Sequence, residues 1–160
     1  MMSAAAFDSA RDLQISRVMK VPREVVWRAW TDPARFEQWW VPAPAKCKVQ
    51  SMELRPGGAF ITRISEHGEE FAPHLNACFL AVDELRRIIF TDALAAGWRP
   101  AQQPFMTAII TLDDHPLGTH YAAHVMHRTW SDRDKHEELG FFDGWGTVIG
   151  QLANHVEDLL

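Results

Sequence analysis

The sequence predicts an α+β fold, in which an antiparallel sheet buries one face against a long C-terminal helix. Two observations predict it. The order of elements in the apolar pattern is one strand, two short helices, six strands and one long helix. Helices segregated from an antiparallel sheet define the α+β class. The final helix also carries the only apolar stripe long enough to cover a sheet, at Phe141, Trp145, Val148, Ile149, Leu152, Val156 and Leu159.

The N-terminal quarter of the chain contains the first strand and the two short helices. A strand is predicted at 13–21, because apolar residues occupy every second position there, with Arg17 as the exception. A helix is predicted at 23–30, because its apolar residues cluster on one side. Asp32 and Pro33 predict the start of a second short helix, since aspartate can cap a helix and proline is tolerated at its first position.

The middle of the chain is predicted to be strand after strand. Proline and glycine in Arg55-Pro56-Gly57-Gly58 have the order that a type II turn requires. Residues 93–104 contain one glycine and two prolines and are predicted to form a longer loop, which often lies at the mouth of a pocket. The six predicted strands are 49–54, 59–64, 74–82, 86–92, 105–112 and 119–129.

The long helix is predicted to begin at Ser131, with Asp134 three residues later as an imperfect capping box. Each glycine inside a helix costs roughly 1 kcal/mol relative to alanine. A helix that tolerates several of them needs either a close approach of its backbone to the sheet or empty volume beside it, and both explanations remain open. The glycines form two pairs at four-residue spacing, Gly140/Gly144 and Gly146/Gly150.

Charge and composition exclude several classes of protein. The net charge is −5 and no basic stripe is present, so nucleic acid is not an expected partner. No stretch reaches the roughly 18 apolar residues of a membrane span, and the N-terminus lacks the pattern of a signal peptide. Cys47 and Cys78 are too few for a disulfide scaffold and predict reduced thiols. We therefore expect a cytoplasmic monomer or homodimer, with residues 1–11 as a disordered lead-in and 12–160 as a single domain.

Histidines are the first candidates for a metal or catalytic site. His120, His124 and His127 lie close together in the sequence, but they fall in a predicted strand. His120 and His124 would then share a face roughly 13 Å apart, at about 3.3 Å per residue, and His127 would face the other way. One metal ion cannot bind such a pair, so neither a metal nor another cofactor is predicted.

Short motifs occur at 26–33, 38–40, 54–58, 90–92, 97–100 and 140–146. Together, and in this order, they resemble the SRPBCC (START/Bet v 1-like) superfamily, and more narrowly its Aha1-like group of Hsp90 ATPase activator homologues. The resemblance implies a helix-grip fold, in which a seven-stranded sheet curls around a long helix and encloses a cavity. The family includes ligand carriers, cyclases and proteins that sequester toxic natural products. The 160 residues lack the extra N-terminal domain of the eukaryotic Hsp90 co-chaperones.

These observations predict a non-catalytic protein that binds a small apolar or aromatic molecule. Seven tryptophans and nine phenylalanines can supply apolar walls for such a pocket. Two alternatives remain: a cyclase- or hydrolase-like enzyme that uses His74 or His124, and a co-chaperone-like partner of Hsp90. The pattern leaves open which of Phe105 and Met106, and of Val125 and Met126, faces inward. The predicted ligand-binding residues are Trp40, His74, Cys78, Trp98, Met106, His124, Met126, Trp145 and Ile149.

Overall fold

An antiparallel sheet of seven strands, in the order β1-β9-β8-β5-β4-β3-β2, dominates the computed structural model, which describes residues 6–159. A separate two-stranded ribbon joins β6 to β7. The sheet and the C-terminal helix confirm the predicted α+β, helix-grip architecture. The strands are β1 (Asp12–Met19), β2 (Lys46–Met52), β3 (Ala59–Ser65), β4 (Ala72–Asp83), β5 (Arg87–Thr91), β6 (Leu94–Ala95), β7 (Arg99–Pro100), β8 (Thr107–His115) and β9 (Gly118–Met126).

Two short helices connect β1 to β2, as predicted. They are α1 (Arg23–Thr31) and α2 (Pro33–Phe36). The Asp32 carboxylate accepts a hydrogen bond from the backbone N–H of Ala34 at 3.0 Å, and Pro33 occupies the first position of α2. This pair therefore ends one helix and begins the next.

The C-terminal segment contains two helices, α3 (Trp130–Glu138) and α4 (Phe141–Glu157), where the sequence predicted one. Thr129, not Ser131, caps the first of them, and its hydroxyl accepts a hydrogen bond from the Asp132 N–H at 3.1 Å. Gly140, at φ +94°, separates the two helices. Three glycines rather than four therefore lie inside α4. The apolar stripe begins only at Phe141, and α3 has no buried residue.

One face of the sheet, called the inner face here, packs against α1 and α4. The strand register places Leu13, Val125, Ala108 and Phe90 in one row across it, and all four are fully buried. Val125 therefore faces inward and Met126 faces outward, which settles the parity that the sequence left open. Met106 precedes β8 with the same parity as Ala108, so it also lies on the inner side.

The turn at residues 55–58 is anchored by the segment that follows β5. Gly57 has φ +82°, and the Gly58 N–H donates to the Arg55 carbonyl at 2.8 Å, which confirms the predicted turn. Residues 93–104 form a longer loop, as predicted, and this loop contains the short β6–β7 ribbon. The Gly97 N–H donates to the Gly57 carbonyl at 2.8 Å, and the Trp98 indole packs over Gly57.

Residues 6–11, which belong to the lead-in predicted over 1–11, contact β1 and β9 in the structure. The Asp8 N–H donates to the Asp12 carboxylate at 3.0 Å, and Arg11 pairs with Asp8. The ring of Phe7 lies 5.4 Å from that of His124. Residues 1–5 lie outside the described part of the chain. Within 6–159, no helix is both long enough and apolar enough to cross a membrane.

Candidate functional site

A cleft of about 350 Å³ lies between the inner face of the sheet and α4. We call it the helix–sheet cleft. Most of its lining is apolar, and three polar side chains reach it. The lining residues are Trp40, Val41, Pro42, His74, Leu75, Asp92, Met106, His136, Gly144, Trp145 and Val148.

Two tryptophans form rigid parts of the cleft wall. Trp40 follows α2, and its ring lies 4.6 Å from that of Phe36 and 5.4 Å from that of Trp30. Trp145 stacks on Phe141 at 5.3 Å, with 28° between the ring planes. Because each indole is held by other aromatic rings, the apolar surface that faces the cleft is preformed.

The helical glycines divide between the two explanations that the sequence left open. A Cβ atom at Gly144 would have no neighbour within 4 Å, and Gly144 lines the cleft. A Cβ atom at Gly146 or Gly150 would lie 3.6 Å from the side chain of Ile15 or Arg17 of β1. Gly144 therefore leaves empty volume beside α4, whereas Gly146 and Gly150 lie next to β1, where an added methyl group would make ordinary van der Waals contact.

Asp92 has a positioning role at one end of the cleft. Its Oδ1 atom accepts hydrogen bonds from the backbone N–H groups of Phe105 (2.7 Å) and Met106 (2.9 Å). These bonds close residues 93–104 into a loop and fix the backbone that carries the Met106 side chain into the cleft. A carboxylate that accepts two backbone N–H groups is a strong, charge-assisted clamp.

His74 lies at the exposed mouth of the cleft, where its Nδ1 atom is 3.0 Å from the Thr62 hydroxyl. Partial burial lowers the pKa of His74, and the nearby Glu66 carboxylate opposes this effect.

His136 of α3 is the most perturbed histidine in the cleft. Its Nδ1 atom lies 2.8 Å from Nε2 of His127, and the Nδ1 atom of His127 lies 2.8 Å from the Arg11 carbonyl oxygen. Burial, together with the nearby His127, lowers the pKa of His136 to about 4. This imidazole is therefore neutral at pH 7.

The low pKa of His136 predicts a loss of stability on acidification. Between about pH 6.5 and pH 4 the unfolded state binds more protons than the folded state, so the free energy of unfolding falls as the pH falls. We expect this loss to be smaller by about 1–3 kcal/mol in His136→Phe. Urea unfolding at a series of pH values from 8 to 4.5 measures it, with pH 8 as the internal reference because the ring is neutral in both states there. Parallel curves for the two proteins would contradict the prediction.

The structure brings four of the nine predicted ligand-binding residues into the cleft: Trp40, His74, Met106 and Trp145. Ile149 lies one turn of α4 beyond Trp145, but it is fully buried in the core. The structure also shows which lining residues the site prediction missed, and His136 and Gly144 are the most informative of them.

The other four predicted residues lie outside this cleft. The register places Cys78, His124 and Met126 on the outer face of the sheet. His124 pairs there with Asp12 at 2.8 Å, and Met126 borders a separate groove under the N-terminal segment. Trp98 is 50% exposed and packs over the turn at Gly57. The enzyme alternative therefore loses His124, which cannot reach the cleft through the sheet.

Several solved structures align with nearly the whole chain. A crystal structure from Nitrosomonas europaea is 40% identical, with a TM-score of 0.86 over 95% of this chain and 97% of that chain. Two less similar crystal structures share the fold. One, from Rhodobacter sphaeroides, is 17% identical, with a TM-score of 0.81 over 97% of this chain and 98% of that chain. The other, from Mycobacterium smegmatis, is 21% identical, with a TM-score of 0.73 over 95% and 91%.

A search of the curated proteins found no match. The family model for the "Activator of Hsp90 ATPase homolog 1-like protein" matches residues 20–157, which include α1, α2, all strands after β1 and both C-terminal helices. The chain therefore belongs to this Aha1-like family of the SRPBCC type.

Proposed function

We propose that this protein binds a small, largely apolar, aromatic molecule in the helix–sheet cleft without transforming it. The observation that carries the proposal is the cleft itself, in which two supported indoles and Met106 face the space left open by Gly144. Small-molecule sites typically combine apolar walls with a few polar groups. The volume of about 350 Å³ lies near the lower end of the usual range of about 300–1,000 Å³, which favours a molecule of one or two fused rings.

The polar groups of the cleft support binding over catalysis. Asp92 is engaged by two backbone N–H groups and His74 by the Thr62 hydroxyl. The pKa of His136, lowered to about 4, makes its imidazole a weak base. A general base needs a lone pair of suitable basicity that points at the proton it removes. A nucleophile needs a neighbouring base that activates it. The described lining residues include no serine, threonine or cysteine that could act as such a nucleophile.

The two thiols support a cytoplasmic setting, which we include in the proposal. Cys47 and Cys78 are both free and buried. Burial raises the pKa of the Cys47 thiol to about 12, with a smaller contribution from Glu37. This thiol is protonated at neutral pH and has little reactivity as a nucleophile.

Filling the cleft from α4 tests the proposed function. We expect β-naphthol to bind the wild-type protein and to bind Gly144→Leu at least tenfold more weakly, because the new side chain occupies the open volume beside the helix. Isothermal titration calorimetry measures the dissociation constants. The matched control is Gly144→Ala, which should retain binding and gain about 0.5–1 kcal/mol in the free energy of unfolding. Unchanged affinity in Gly144→Leu would place the ligand elsewhere.

A further inference from the structure

A chain of hydrogen bonds leads from the backbone of the N-terminal segment to the cleft. The Arg11 carbonyl oxygen lies 3.1 Å from the backbone nitrogen of His127 and 2.8 Å from its Nδ1 atom. A carbonyl oxygen only accepts hydrogen bonds, so the Nδ1 atom of His127 must carry a proton. The neutral His127 ring then presents a lone pair at Nε2.

The same reasoning fixes the tautomer of the second ring. The Nε2 atom of His127 lies 2.8 Å from Nδ1 of His136, so His136 must donate from Nδ1. The neutral His136 ring is therefore left with an unprotonated Nε2 atom, which has no hydrogen-bond partner among the described residues. In a neutral imidazole, the hydrogen bond made by one ring nitrogen determines whether the other nitrogen carries a proton or a lone pair.

The surroundings of His136 keep this ring in place and uncharged. The rings of Phe105 and Phe141 lie 4.9 Å and 5.0 Å from it, and that of Trp145 lies 6.5 Å away. The low pKa of His136 accords with this apolar setting. Asp92, which also lines the cleft, is a carboxylate and offers only acceptor atoms when ionised.

We infer that the Nε2 atom of His136 is the polar anchor of the helix–sheet cleft and acts as a hydrogen-bond acceptor, so that the ligand is an uncharged aromatic molecule with a hydroxyl or N–H donor. The inference rests on the proposed function and specifies the ligand class of the same site. An aromatic ether of the same shape cannot donate a hydrogen bond. An aromatic carboxylate would bring a negative charge against a lone pair and against Asp92 without a cation to balance it.

Three probes of similar shape separate these ligand classes. At neutral pH we expect β-naphthol to bind about tenfold more tightly than its methyl ether, which is the size of one net hydrogen bond, and β-naphthoate to bind most weakly. In His136→Phe the preference for β-naphthol over the methyl ether should fall below threefold. Isothermal titration calorimetry measures all six dissociation constants.

A measurement without ligand tests the tautomer directly. Long-range ¹H–¹⁵N NMR spectra of the imidazole rings distinguish a proton on Nδ1 from one on Nε2, and we expect Nδ1–H on both His127 and His136. A proton on Nε2 of His136, or equal binding of β-naphthol and its methyl ether to the wild-type protein, overturns the inference and leaves the proposed function standing. If none of the three probes binds, the proposed function fails and the inference fails with it.

Discussion

Replacing Trp30 by alanine is expected to lower the free energy of unfolding by about 4–5 kcal/mol. Trp30 is fully buried at the centre of an aromatic cluster that links the short helices to the sheet. Its Nε1–H donates to the Tyr121 hydroxyl at 2.8 Å. Removal of the indole leaves a large cavity and a buried hydroxyl without its donor. Five aromatic rings lie within 6.1 Å of it, those of Phe36, Trp39, Trp40, Phe60 and Phe90.

Trp30→Phe is the matched control for this prediction, because it keeps an aromatic ring in the cluster and removes the donor. We expect a loss of about 1–3 kcal/mol in the control. Urea unfolding followed by circular dichroism measures both variants. A loss below about 1.5 kcal/mol in Trp30→Ala would mean that the cluster repacks around the missing side chain, and the prediction would then be wrong.

Gly58→Ala is expected to be destabilising by about 3–5 kcal/mol or to prevent folding. A Cβ atom at Gly58 would lie 1.9 Å from the Glu53 carbonyl oxygen and 2.9 Å from that of Arg55. Both obstacles are backbone atoms, so no side-chain rotation relieves the clash. The Gly58 N–H donates to the Arg55 carbonyl at 2.8 Å, and the Gly58 carbonyl accepts from Phe79 N–H at 3.0 Å. The strand pairing therefore holds the glycine against its neighbours.

Gly68→Ala is the matched control, since it lies in another turn of the same sheet and has no atom within 4 Å of the added Cβ. Its φ of +79° makes alanine strained there, so we expect a loss of about 1 kcal/mol. Thermal and urea unfolding compare the two variants. A Gly58→Ala protein within 1 kcal/mol of the wild type would show that the turn shifts at little cost.

Rules that act over a few neighbouring residues were sufficient to predict the positions of most helices and strands. Asp32-Pro33 predicted a helix boundary because capping and the fixed φ of proline act within a few residues. The turn at 55–58 was predictable because only glycine readily adopts the φ observed at Gly57. The break at Gly140 was missed, since a glycine inside an apolar helical pattern can be either interior or terminal.

The cleft was less predictable, because its lining depends on strand register. Ala77, Cys78 and Phe79 are all fully buried, so no alternation in the sequence distinguishes the inner from the outer face. The β6 segment packs on β4, which explains why Cys78 is buried although it lies on the outer face of the sheet. Val125 and Met126 are both apolar, so the sequence could not show which of them faces the inner side of the sheet.

His136 gave no local signal either. Its partner His127 is nine residues away, at the end of β9, and the contact requires the chain to turn between the strand and α3. Nothing in the spacing of two histidines across a predicted strand end and helix start predicts that their rings meet. Gly144 was noted in the sequence as a glycine of the long helix. Whether it allows tight packing or leaves empty volume could be decided only from the position of β1 relative to α4.

The absence of any buried residue in α3 has a consequence for how this protein can diversify. The acceptor atom of His136 is carried by a helix that adds little to the hydrophobic core, whereas Trp40 is partly buried and packs directly against that core. Under the proposed function, substitutions on α3 are expected to change the polarity of the bound molecule at little cost to the hydrophobic core. Under the same proposal, the ligand class can change through this helix while the sheet and the aromatic cluster stay the same.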